Sequence, residues 1–143
     1  MKILHMLYGM NIGGAETFVY NVLSNIQTDK YQIDISIQSK NITNEKLHRL
    51  CNKKCRLYLI PEFNHNYPAY LLAVHKLLNT NKYDVVHIHM NALINTAPIF
   101  MALRYAKKVV VHSHNTQNNM GGKIGLMLHS VNRHLLQNSR IIR

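Results

Sequence analysis

Acid is what this chain has least of. Six Asp and Glu stand against 17 Lys and Arg, a formal net charge of +11 over 143 residues. The few carboxylates are dispersed, so no pair is set for acid–base work, and no Ser–His–Asp or Cys–His set is identifiable. Ser113 lies between His112 and His114, but neighbours on a strand point to opposite faces. These absences argue against a self-contained hydrolase. Only two cysteines occur, Cys51 and Cys55. With no second pair to complete a zinc site, free thiols are the expectation. The N-terminal "MKILHMLYGMN" is broken by His5 and lacks a small-residue cleavage site, so it is no signal peptide. No uncharged run approaches the length of a membrane span, and there is no internal repeat, low-complexity tract or linker.

The basic excess favours anionic partners: nucleic acid, acidic headgroups or phosphorylated small molecules. The aromatics, mostly tyrosine, do not interleave with the basic residues as in a single-strand platform, which argues against nucleic acid. The densest basic cluster runs from Lys46 to Arg56 and reads either as a solvated helix face or as a contact with an anionic membrane.

Short apolar runs alternate with longer helical ones. Strands are expected at 2–8, 31–38, 55–61, 83–90 and 107–114, with a further one starting at 140–143. In 31–38, Ile33, Ile35 and Ile37 fall on one side. Helices are expected at 15–26, 44–52, 68–80, 93–106 (interrupted) and 122–137. Pro68 sits in a first turn, where its missing N–H costs nothing. Six β-runs separated by helices predict right-handed βαβ units in an α/β, Rossmann-like, doubly wound parallel sheet. Its strand order is expected to be 3-2-1-4-5-6 or the flavodoxin-like relative. Residues 1–143 read as a single domain whose last strand looks unfinished, which gives the expectation of a fragment. Met6, Met10, Met90, Met101, Met120 and Met127 are expected in the core or lining a cleft.

Ligands of open parallel sheets bind outside the carboxyl ends of the strands. Three stretches qualify: "GMNIGGAE" after the first run, "HIHMN" after the fourth and "HSHN" after the fifth. The glycine stretch is neither a G-x-G-x-x-G fingerprint nor a P-loop. It leaves Gly13 and Gly14 at a helix N-terminus, open to two readings: a tight turn, or an anion cradle in which free N–H groups and the helix dipole welcome phosphate. Glu16 in the first turn suits the dipole by itself. His87 and His89 share one strand face, as do His112 and His114, so up to four imidazoles gather if the strands are neighbours. Structural histidines, substrate contacts and a metal site all remain open readings, although no carboxylate or cysteine accompanies the cluster. Asp84 opens its strand and is expected at the opposite end of the sheet.

Taken in order, "KILHMLYGMNIGGAETFVYNVL", "YDVVHIHMN" and "VVVHSHN" resemble the N-terminal domain of family 4 glycosyltransferases of GT-B fold. The likeness is greatest to bacterial enzymes of capsular, exopolysaccharide or lipopolysaccharide synthesis. The resemblance implies an acceptor-side domain of a retaining transferase that moves a sugar from a nucleotide donor, usually a UDP- or GDP-sugar, to a glycan or lipid-linked acceptor. It implies donor-phosphate approach at Gly13 and Gly14 and a catalytic His114 near the transferred sugar. His89, His112, Asn115 and Glu16 would line the acceptor side. No metal and no cofactor are expected, and the place of action is the cytoplasm, peripheral to the inner face of the membrane. The family's donor-binding second domain and its paired-glutamate motif have no counterpart here. The isolated chain is therefore expected not to transfer sugar alone, and a donor-domain partner chain is one expectation. The alternative is an accessory subunit or phospholigand-binding module of a split enzyme.

Overall fold

The computed structural model describes residues 1–27, 29–38, 42–113, 125–127, 130–132, 134 and 141–142. Six strands alternate with helices along the chain. They are β1 (Lys2–Met6), β2 (Gln32–Ile37), β3 (Cys55–Leu59), β4 (Val85–Met90), β5 (Lys108–Ser113) and β6 (Ile141–Ile142). Between them run α1 (Gly14–Asn25), α2 (Glu45–Lys54), α3 (Tyr67–Asn81) and α4 (Ala97–Tyr105). The strands form one parallel sheet in the order β3-β2-β1-β4-β5-β6, the first of the two expected orders. Residues 122–137, expected as a helix, lie partly outside the described residues; 125–127, 130–132 and 134 are helical.

Helix starts follow local chemistry. The Asn44 side chain accepts from the Leu47 N–H and the Asn66 side chain from the Ala69 N–H, both at 3.1 Å. Each thereby satisfies one of the orphan donors of a first turn. Pro68 and Pro98 stand in the first turns of α3 and α4. The interrupted helix expected at 93–106 begins only at Ala97, because Asn95 Oδ1 takes the Ala97 N–H in a turn of its own.

Two cores sandwich the sheet. On one face Val19 and Leu23 of α1 and Leu47 and Cys51 of α2 pack on Ile33, Ile35 and Ile37. On the other, Tyr70, Val74, Leu77 and Leu78 of α3 and Ile99 and Ala102 of α4 pack on Leu4, Met6, Val86 and Ile88. β2 is therefore covered on both sides, and its polar alternates Asp34 and Ser36 are fully buried. Asp34 faces the α3–α4 side, where it accepts from the Tyr83 hydroxyl at 2.8 Å and lies 3.8 Å from Lys2 Nζ. Burial first, and then this bond, hold the Tyr83 phenol protonated well above its ordinary range.

Asp84 sits at the amino end of the sheet, as expected. It accepts from the Lys2 N–H at 2.8 Å and from Lys107 Nζ at 2.6 Å, pinning together the starts of β1, β4 and β5. Two expectations are corrected. Cys51 and Cys55 are not free thiols: the i, i+4 step at the end of α2 brings them together as a disulfide, Cα–Cα 5.0 Å. Met127 is exposed, whereas Met6 and Met10 are core and Met90 and Met101 pack at its margin.

Removing the Tyr83 hydroxyl takes a donor from a buried carboxylate while leaving the ring in place. Tyr83→Phe is expected to destabilise the chain by about 1–3 kcal/mol. Urea denaturation followed by circular dichroism should show an earlier midpoint at unchanged slope.

Candidate functional site

The sheet order makes β1 and β4 neighbours, with β2 and β3 to one side and β5 and β6 to the other. At this switch point the loops after β1 and β4 leave toward opposite faces and open a crevice. Two cavities lie there. One, of about 280 Å³, is lined by Gly13, Gly14, Ala15 and Glu16 together with Leu7, Tyr8, His89 and Asn91. The other, of about 250 Å³, opens on the α3–α4 side and is bounded by residues after β1, β3 and β4 and by the start of α4. Leu7, Tyr8, His89 and Asn91 line both and form the dividing wall.

Gly13 caps α1 with φ −161° and ψ 178°, extended backbone that any residue adopts. A tight turn is thus no reason for glycine there. A Cβ on Gly13 would stand 2.7 Å from Glu16 Oε2, the far end of a flexible side chain that can swing aside. The carboxylate of Glu16 lies over the helix N-terminus, in the place an incoming anion would favour. Thr17 tightens the same turn, its hydroxyl donating to the Gly13 carbonyl at 2.8 Å.

Of the residues singled out from sequence, Gly13, Gly14, Glu16 and His89 meet in one cavity. His112 lies on the sheet face behind it. His114 and Asn115 lie outside the described residues. Sequence reasoning placed Asn91 on the rim only as part of the HIHMN stretch and gave it no role. It missed Tyr8, which the crevice brings beside it, and His5, read only as a break in an apolar run. The basic residues of the 46–56 cluster are exposed at Lys46, Arg49, Lys53 and Arg56, along α2 and the start of β3, and none of them lines either cavity.

His5 belongs to a ladder of imidazoles. It stands opposite His87 in the β1–β4 register, and His89 stands opposite His112 in the β4–β5 register. All four therefore occupy the α1 side of the sheet, where β2 carries isoleucines. Ring centroids of His87 and His89 are 4.2 Å apart, and those of His87 and His112 are 5.5 Å apart. Phe18 of α1 covers the group, edge-on to His112 at 5.1 Å. His5 Nδ1 and His89 Nε2 share a hydrogen bond of 3.0 Å. Ligand nitrogens of His5, His87 and His89 fall within 4.8 Å of one another, a spacing that three imidazoles around a cation could also adopt.

Burial, and then the neighbouring His87, pull the His5 imidazole from 6.5 down to about 3. A group neutral in the fold but able to protonate near 6.5 once unfolded makes the unfolded state bind the extra proton. Stability is therefore whole above pH 6.5 and falls as pH drops toward 3. Denaturation midpoints over that window should slope upward with pH. The slope should flatten in His5→Leu, since an aliphatic side chain already stands opposite position 5 at Ile35.

Comparison with known proteins agrees with this geometry. The family Glycosyltransferase Family 4 matches residues 12–142. Glycosyltransferase EpsF of Bacillus subtilis (strain 168) is 31% identical over 124 residues, covering 84% of this chain; the chain spans 32% of that protein's length. Among solved structures, one described as a short-chain alcohol dehydrogenase from Burkholderia multivorans superposes with a TM-score of 0.62 at 10% identity, covering 94% of this chain and 74% of that one. At that identity the likeness speaks for the fold alone. The chain belongs to glycosyltransferase family 4.

Proposed function

We propose that this chain is the acceptor-side domain of a retaining glycosyltransferase. It would serve transfer of a sugar from a UDP- or GDP-sugar to a hydroxyl of a glycan or lipid-linked acceptor in cell-surface polysaccharide synthesis. One observation carries the reading: two cavities share a wall at the β1–β4 switch point, one at a helix N-terminus and the other mostly apolar. A donor diphosphate fits the first and an acceptor the second, with His89 and Asn91 between them.

The chemistry needs the leaving diphosphate stabilised and the acceptor hydroxyl held in line. The first-turn N–H groups of α1 and the helix dipole offer fixed positive character at Gly13–Gly14 without a metal ion. Glu16 accepts from sugar hydroxyls at the same mouth. His89 is fixed from behind by His5 and presents its imidazole at the dividing wall. The HSHN motif assigns His114 to the transferred sugar. The nucleotide itself is held from a second domain or a partner chain, so this chain alone turns nothing over.

A radiolabelled-sugar transfer assay tests the reading. The 143-residue chain should transfer no label, whereas an enzyme that joins it to a donor domain should. In that enzyme His89→Ala should lower kcat/KM by about 10–100-fold. Turnover by the chain alone, or an indifferent His89→Ala, would sink the proposal.

Glu16 supplies a second test. If an anion is received at the α1 N-terminus, the carboxylate already there opposes it. Glu16→Gln should then tighten inorganic pyrophosphate binding by about fivefold, the effect of one like charge at close range in water. Calorimetric titration at low salt reads it. Unchanged or weaker binding would show that the anion sits elsewhere.

A further inference from the structure

The second cavity differs from the rest of the molecule in charge. The chain carries +11, yet the described lining of this cavity contains no Lys, Arg, Asp or Glu. Its floor is apolar, with Met6, Ile88, Met90 and Tyr70 at its centre. Its polar groups are the carboxamides of Gln38, Asn64, Asn91 and Asn95, the Tyr8 and Tyr70 hydroxyls and the imidazole of His89, which is already bonded to His5. A carboxylate stands nearby, since Tyr8 on the dividing wall donates to Glu62 Oε2 at 3.2 Å.

Two of the carboxamides are oriented by the backbone. Gln38 Oε1 accepts from the Phe63 N–H at 3.2 Å, and Asn95 Oδ1 accepts from the Ala97 N–H at 3.2 Å. A backbone N–H can only donate, so the oxygen of each amide is assigned without ambiguity. The NH₂ end is the half turned away from that bond. The Asn95 NH₂ is spent on the Tyr70 hydroxyl. The preset donor left to a ligand is therefore that of Gln38, which calls for a neutral acceptor such as a hydroxyl oxygen or an amide carbonyl. An anionic group would lose its hydration here and find no cation in return, at a cost of several kcal/mol. A volume of about 250 Å³ falls below the range for drug-sized ligands and suits one ring with a small substituent.

We infer that this cavity takes a single uncharged sugar residue bearing an apolar substituent, an acetamido sugar in the first instance, and that it rejects uronic acids and phosphorylated groups. The acetamido methyl rests on the Met6–Ile88–Met90 floor while the carboxamides meet its carbonyl and the ring hydroxyls. The inference rests on the functional reading above and narrows it: the acceptor enters by its terminal neutral sugar, and any lipid diphosphate stays outside the cavity.

The test uses the 143-residue chain with ¹³C-methyl methionine and ¹⁵N labels, titrated separately with methyl N-acetyl-β-D-glucosaminide, methyl β-D-glucuronide and inorganic pyrophosphate. The acetamido glycoside should shift the Met6 and Met90 methyl resonances saturably, and the glucuronide should bind at least about tenfold more weakly. Asn91→Asp, which adds a charge to the wall with little change of shape, should weaken the acetamido glycoside by a similar factor and leave the spectrum otherwise folded. Equal binding of the glucuronide, or no methyl shift with any glycoside up to its solubility, overturns the inference. Pyrophosphate is read apart, through the Gly13 and Gly14 amides. Shifts there without any at the methionines leave the functional reading standing and remove only this one; shifts at neither place remove both.

Discussion

β1 and β4 lie side by side in parallel, with Ile3 opposite Val85 and His5 opposite His87, and most of what this domain can do depends on that pairing. A chain that had run its strands in sequence order would have placed β3 beside β4 and sent its loops along one rim without a crevice. Because β1 instead separates β2 from β4, the connection after β1 climbs to α1 on one face while that after β4 leads to α4 on the other. Among the described residues, the gap between these loops is where a helix N-terminus and the apolar layer of the opposite face approach the same strand ends. His89 stands in that gap as the last inward-facing residue of β4 on the α1 side.

The same pairing creates an electrostatic problem, which the protein turns to use. Imidazoles occupy the sheet face where β2 has isoleucine, so β1 and β4 carry buried polar rings, and β5 a half-buried one, over a layer that should be apolar. Such rings are tolerated when they remain neutral and bond to one another. His5 meets both conditions, with a depressed basicity and a 3.0 Å bond to His89. Phe18 closes the ladder from the α1 side, keeping water from the rings while leaving His89 at the cavity wall. The cluster thereby fixes the orientation of a side chain at the mouth, at a cost in acid stability.

The regular elements were legible because their signals are local: alternation in 31–38, the Pro68 first turn, and apolar runs of strand length. The strand order was legible only as one of two alternatives, since βα alternation constrains handedness more tightly than order. What stayed hidden depends on contacts between distant segments. Asp34 reads as a solvent-facing alternate, yet the strand is covered twice and Tyr83, far along the chain, reaches it. His5 reads as a blemish in an apolar strand until the β1–β4 register sets it against His87. Gln38, Asn64 and Asn95 of the second cavity carry no motif at all, because a neutral pocket is defined by the charges it lacks. The Gly13–Gly14, Glu16 and His89 assignments converge on one cavity, whereas His114 and Asn115 fall outside the described residues.

Gly13 is where sequence and geometry differ most usefully. Two adjacent glycines before a helix invite a conformational explanation, but the extended backbone at Gly13 asks for no glycine. A Cβ there would meet the Glu16 carboxylate folded back over the first turn, which would have to swing aside. The glycine therefore makes room, and the room is occupied by an acid at the end of a helix dipole that attracts acids. On the proposed reading, an anion received here would have to displace that carboxylate, which could then accept from the ligand's hydroxyls. A nucleotide sugar carries both groups on adjacent atoms, the diphosphate for the dipole and the sugar hydroxyls for the displaced acid. A bare phosphate offers only the first. On the proposed reading, the α1 N-terminus would favour a sugar-bearing donor over a bare phosphate.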